Sequence, residues 1–468
     1  MSRRPPVPAG ASRVARARAR LVHLRLALLC GVVLGVVFGT IEGYSIFYIA
    51  FVPDIGATHG QASAMFAASL WVSNLLAPAL GDRIDGWGAR RVMIGAGAAY
   101  ALGLAAASPA SSLWWLAVVY LGVLGPASCA LVLGCQVYLN AAYTADRGTA
   151  VGVAYSFIGL GNFVIFPLLG AVVSGASWRT AYLVAGAIAA ALVLVLWVAA
   201  PRALSADSSR PAEPVVEASV GQGDTPARAP RHRAGPPTDA PTDAEPDPPP
   251  VRWSSLLVPR TGLLLLAGIA AGAIDFALFQ HLVPSLVNRG MDVSAAANVL
   301  AVTSLGYFGG QLAGGWASDR AGREVVAVGA AALAATGYVL LVLSPGSSPG
   351  SPGWAVLAAG PLGGAAIGAL IGSRTATTGD LFQGPALARV SGTVQTATAV
   401  GAAAATWFGG FSLDHFGGQK PLFAATAVAC LVFALAIVAA APRRGVVALR
   451  GVAPAVPAEQ VRVPRHRL

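Results

Sequence analysis

Charge is what this chain has least of. Acidic and basic residues fill only 11% of its 468 positions, and lysine occurs once, at Lys420. Apolar residues make up 56% and the mean hydropathy is +0.67, more than a soluble domain of this length can hide. Cysteine is scarce too. Cys30, Cys129, Cys135 and Cys430 all fall in apolar runs without metal-ligand or disulfide spacing, so they read as reduced packing residues and no metal is expected. Six scattered histidines offer no His-Glu-x-x-His or other paired set, which argues against a membrane-embedded enzyme. No Gly-Lys-Ser/Thr signature is present, which argues against an ATP-driven pump within this chain; no cofactor is expected.

What the sequence has in quantity is long apolar runs, and about 20 such residues cross a bilayer as a helix. Twelve runs qualify: 26–50, 61–81, 91–108, 113–139, 149–174 and 178–200, then 259–283, 293–317, 325–344, 354–374, 389–412 and 421–441. This predicts an all-α polytopic membrane protein of twelve transmembrane helices in two six-helix bundles. The net charge of +11 does not point to nucleic acid, because the arginines sit in the tails and in alternate short loops. With both ends cytoplasmic, only Arg179, Arg289 and Lys420 of 31 cations lie outside. In the short loops, Arg83, Arg90, Arg91, Arg147, Arg320, Arg323, Arg374 and Arg389 face inward, the last two read as headgroup anchors at the inner ends of helices 10 and 11.

The expected organisation is a basic cytoplasmic tail (1–25), a six-helix bundle (26–200), a disordered cytoplasmic linker (201–252), a second bundle (253–442) and a basic tail (443–468). The linker reading rests on composition: residues 201–250 hold 12 of the 32 prolines. The first apolar run is too long for a signal peptide and is read as a retained signal-anchor. The halves also repeat. Gly81-x-x-x-Asp85-x-x-Gly88-x-Arg90-Arg91 is answered by Gly315-x-x-x-Asp319-Arg320-x-Gly322-Arg323, with Gly81 and Gly315 234 residues apart. Parallel six-helix repeats joined by a linker are how one large group of secondary transporters is built.

With this paired motif the chain resembles the major facilitator superfamily, whose loops between helices 2 and 3 and between 8 and 9 carry G-x-x-x-D-R-x-G-R-R. The first copy departs from it at Gly86 and Ala89. Within the superfamily the resemblance is to monocarboxylate porters and oxalate:formate-antiporter-like proteins, carried by Arg147-Gly148-x-Ala150-x-Gly152, Gly159-x-Gly161, Pro167, Trp178-Arg179, His281-Leu282-Val283-Pro284 and Arg289-Gly290. The resemblance implies a gating role for Asp85, Asp319 and the loop arginines. It also implies a substrate cation on helix 8, and often another on helix 1 or 11. Those places here hold Gln311 with Tyr307 one turn earlier, Tyr44, and Gln395, so a carboxylate finds no counter-charge at them.

An ionised carboxylate costs roughly 2.5 to 3.5 kcal/mol in hydrocarbon on insertion scales, so an acid there usually lines a cavity and has a task. Glu42 in helix 1 and Asp275 in helix 7 qualify, and the 234-residue offset brings Glu42 within one position of Asp275. The pair is expected to face across the interface between halves. A buried acid can take up and release a proton near neutral pH, which makes both candidates for proton coupling, unless each merely helps helices pack. His281, about 240° further round an ideal helix than Asp275, is a candidate near the outer mouth or a structural hydrogen-bonder. Gly31, Gly35, Gly39 and Gly43 recur every fourth residue and mark a close packing face on helix 1.

The expected function is secondary active transport of a small organic solute, such as a monocarboxylate, by alternating access with proton symport. Proton-antiport efflux of cationic or amphipathic drugs is the alternative, and a transporter-derived receptor a lesser one. The partners are the solute, protons and the lipid bilayer of a cell membrane. The chain is expected to work as a monomer, and its arginine-rich, Ala- and Gly-rich composition suggests a bacterial source.

Overall fold

The computed structural model describes residues 13–143, 147–199, 258–344, 354–382 and 385–440, without the side chains of 13–23, 85, 147–149, 199, 354–356 and 385–389. The linker 201–252, the tail 443–468 and most of the N-terminal tail therefore lie outside the described residues, as do the side chains of Asp85, Arg147 and Arg389.

The described elements are helical. In chain order they are α1 (Arg13–Glu42), α2 (Tyr44–Asp54), α3 (His59–Trp87), α4 (Ala89–Ala107), α5 (Leu113–Val119), a π-helical turn (Tyr120–Leu124), α6 (Gly125–Ala142), α7 (Arg147–Gly175) and α8 (Trp178–Ala199). The second half holds α9 (Pro259–Val287), α10 (Val293–Ala321), α11 (Arg323–Leu343), α12 (Trp354–Leu381), α13 (Pro385–Phe416) and α14 (Lys420–Ala440). Because α1 and α2 are one span broken at Gly43, and α5 to α6 another, these form twelve spans. Nine stretches are long and apolar enough among the described residues to cross a membrane unaided. The other three are α4, α12 and α13, which pack against their neighbours in the bundles.

Each half is a six-helix bundle, and the halves meet along α3 against α13 and α7 against α10, with α2 resting on α9. The outward faces carry unpaired apolar side chains such as Leu75, Leu102 and Val198, while exposed Trp87, Trp114, Trp197 and Trp316 sit near span ends, where indole rings meet headgroups.

Glycine sets how closely the helices approach. The α1 stripe packs on α7: a Cβ at Gly35 would stand 2.8 Å from the Phe157 carbonyl oxygen, and one at Gly39 2.5 Å from Ile165 Cδ1. A tighter seam joins α10 and α12, where Gly306, Gly310 and Gly314 interleave with Gly360, Gly364 and Gly368. A Cβ at Gly310 would lie 2.0 Å from the Ala365 carbonyl oxygen, and one at Gly368 2.2 Å from that of Tyr307. Rigid backbone cannot yield there. Gly310→Ala is therefore expected to lose about 1 to 3 kcal/mol, read as a lower melting temperature in detergent, whereas Gly152→Ala, with open space at its Cβ, leaves it unchanged.

Candidate functional site

The paired motif lies at one end of the bundles. Gly88 and Gly322 take φ of 85° and 97°, where a side chain would be strained, so each repeat needs glycine to turn sharply into its next helix. In the second copy Arg323 donates to Asp319 at 2.5 Å and to Ser318 at 2.7 Å, and its Nε reaches Asp380 of α12 at 3.0 Å. The motif thus clasps the ends of α10, α11 and α12 within one half. Arg320 stacks over Trp316, Arg90 donates to the Trp197 carbonyl at 2.6 Å, and Arg91 is exposed. At Gly81 and Gly315 a Cβ would meet nothing within 4 Å.

The opposite end is closed by two matching latches between the halves. At one, Asp414 of α13 accepts from the backbone N–H of His59 at 3.0 Å and of Gly60 at 2.7 Å, supplementing the Thr58 cap of α3. At the other, Ser174 of α7 accepts from the N–H of Ser294 at 3.1 Å, beside the Asp292 cap of α10. Gly410 sits on Ser63, and Gly170 on Ala297. Gly60 and Ser294 share the 234-residue offset, as do Ser63 and Ala297, while Asp414 and Ser174 lie 240 apart, as do Gly410 and Gly170. The repeat therefore duplicates the contact. Asp414→Ala removes two charge-assisted bonds of about 1.5 to 3 kcal/mol each. It should open this face more often, read as faster maleimide labelling of a Ser63→Cys probe. Nearby, Arg289 donates to the Leu341 carbonyl at 2.8 Å, and half-burial pulls its guanidinium below the usual arginine range.

Between these ends lies a cluster of charged and amide groups. Glu42 is the last residue of α1, 5% exposed, and accepts from Asn162 Nδ2 of α7. Asp275 of α9 lies near enough for its charge to act on Glu42, though no contact joins the two among the described residues. The sequence reading missed the third member. Arg374 is not a loop cation: α12 runs on to Leu381, which leaves the guanidinium only 7% exposed and donating to Thr398 of α13. Helix 10 looks finished at 374 because Thr375, Thr377 and Thr378 follow. Each of those hydroxyls bonds the carbonyl four residues back, which lets a polar stretch stay helical with Thr377 and Thr378 buried.

Gly272 brings Asp275 toward this cation. A Cβ there would stand 1.9 Å from the Thr398 carbonyl oxygen, so α9 passes directly over Arg374's partner. Asp275 and Arg374 attract one another without touching, since no ion pair closes on either among the described residues. Tyr307 of α10, buried and edge-on to Phe279, lies in the field of Glu42, Asp275 and Arg374 together. The glycine seam sets Gln311 beside α12, because a Cβ at Gly368 would be 2.7 Å from the Gln311 N.

Other candidates stand apart from the cluster. Tyr44 donates to the Ala62 carbonyl at 2.8 Å and stacks on Phe66 at 4.4 Å, inside an aromatic core with Tyr48, Phe51 and Tyr120. Tyr44→Phe should accordingly lower stability by about 1 kcal/mol without changing substrate affinity, measured by melting and by uptake kinetics. His281 donates from Nε2 to the Thr406 carbonyl at 2.9 Å, and its ring fills the slot at Gly409, toward the latch end. Gln395 is exposed on α13 and makes no described hydrogen bond to the cluster.

The profile described as Major Facilitator Superfamily matches residues 27–297 and 282–464. Monocarboxylate transporter 13 of Bos taurus is 26% identical over 290 residues, 60% of this chain and 58% of that protein. Monocarboxylate transporter 11 of Mus musculus is 29% identical over 276 residues, 57% of this chain and 54% of its own. The chain thus spans little more than half the length of these relatives. Among solved structures, a mutant of the nucleoside transporter NupG shares the fold with a TM-score of 0.63 at 13% identity, covering 90% of this chain and 100% of that one. A bacterial homologue of the human lysosomal transporter Spinster, inward-facing and unoccupied, gives 0.56 at 14% identity, covering 89% and 94%. With twelve spans in two repeated bundles and this match along most of its length, the chain belongs to the major facilitator superfamily.

Proposed function

We propose that the protein is a proton-coupled secondary transporter of a small monocarboxylate, working by alternating access between its two bundles. The buried Arg374 guanidinium carries this reading. A cation in hydrocarbon without a touching counter-ion is costly, and an organic anion arriving at it relieves that cost with two parallel hydrogen bonds. An incoming carboxylate takes Arg374 from the field of Asp275, and Asp275 then gains a proton more readily, which couples the two fluxes. Relatives named as monocarboxylate transporters support the substrate class. The closed latches, with the motif end placed in the cytoplasm by the arginine distribution, favour a form shut on its outer side. In that orientation the tails and the 201–252 linker share the cytoplasmic side of a cell membrane.

The two facing acids favour a second reading, proton-driven efflux of cationic drugs. Reconstituted vesicles with an internal pH dye separate the two. Propionate or lactate entering together with protons supports the first, and proton release in exchange for amine drugs, with no response to carboxylates, replaces it with the second.

A further inference from the structure

The central cluster holds one cation and two acids. Once Arg374 is matched to a substrate carboxylate and Asp275 to a proton, Glu42 is left with only the Asn162 amide. The atoms without partners there are uneven in kind. Asn162 Oδ1, Asp275 Oδ1 and Gln311 Oε1 are acceptors that no donor reaches, and the unpartnered donor is Arg374 Nε. Asn162 is fully buried, and since its Nδ2 is engaged with Glu42, its Oδ1 cannot exchange places by a flip of the amide. A plain fatty acid would satisfy Arg374 and leave every acceptor bare, a penalty of about 1 to 3 kcal/mol for each.

We propose that the preferred substrate carries an ammonium group beside its carboxylate: a small 2-amino acid whose carboxylate lies on Arg374 and whose N–H donors reach Glu42 and Asn162 Oδ1. This deepens, and rests on, the reading of Arg374 as the anion site. It also sets the charge carried per cycle. A zwitterion moving with the one proton held by Asp275 carries a net +1 inward, whereas a simple monocarboxylate with one proton carries none.

The test is a three-carbon series, propionate, lactate and alanine, in vesicles with an imposed pH gradient, with and without an inside-negative potassium diffusion potential. The expected result is uptake of alanine at least tenfold faster than of propionate, accelerated by the potential. Glu42→Gln should draw the alanine-to-propionate ratio toward one, with its melting profile recorded as the control on folding. Lactate equal to alanine, with neither responding to the potential, overturns the ammonium assignment in favour of a hydroxyl donor. Propionate carried as fast as alanine overturns the inference while leaving the monocarboxylate reading standing. If none of the three is carried, that reading fails and this one with it.

Discussion

Arg374→Gln is expected to lower uptake of the transported carboxylate roughly a hundredfold, while Arg374→Lys retains an intermediate rate. The buried guanidinium already spends one N–H on Thr398, which fixes its plane and leaves Nε and the remaining donors for an anion. Charge-assisted hydrogen bonds in such a site contribute about 1.5 to 3 kcal/mol each, and 1.4 kcal/mol is a factor of ten, so losing the pair accounts for the fall. Lysine keeps the charge but not the planar fork that meets both carboxylate oxygens, hence the partial activity. Thr398→Val leaves the charge and frees its orientation, and should raise the half-saturating concentration by about tenfold or less. If Arg374→Gln transports like the wild type, the cation is structural and the anion is held elsewhere.

The second large effect is expected at Asp275. On the proposed coupling, Asp275→Asn leaves a site that still binds and exchanges substrate but lacks the group assigned to carry the proton. Uphill accumulation under a pH gradient should collapse to a ratio of one, and uptake should cease to rise as the external side is acidified. Counterflow of labelled against unlabelled substrate should persist, because exchange needs no net proton. Loss of counterflow as well would place Asp275 in substrate binding and leave coupling to Glu42.

Some of this was legible from the residues. Hydropathy gave the twelve spans because the bilayer demands apolar length from each helix separately, a local property. The repeat offset of 234 pointed to Glu42 and Asp275 as a pair, since a duplicated fold keeps equivalent helices equivalent. Arg374 escaped because hydropathy ends helix 10 where hydroxyls begin, and satisfaction of Thr375, Thr377 and Thr378 by their own helix is invisible to any average of apolar character. Tyr44 drew attention because it stands where the resemblance implies a cation on helix 1, yet Ala62, 18 residues on, takes up its hydroxyl. The latches were hidden for a different reason. Asp414 and Gly60 are 354 residues apart, and a backbone amide that receives a side chain leaves no mark in the residue type.

Those latches use their carboxylates differently: across the α3–α13 seam Asp414 accepts from two amides, and across the α7–α10 seam the Ser174 hydroxyl accepts from one amide and donates to Asp292 at 3.4 Å. Each seam therefore rests on one carboxylate, Asp414 or Asp292, and both belong to the second half, while the first half supplies amides at one seam and a hydroxyl at the other. The charge of the two latches is thus carried by one bundle alone, and parting the bundles leaves both acids on the same side.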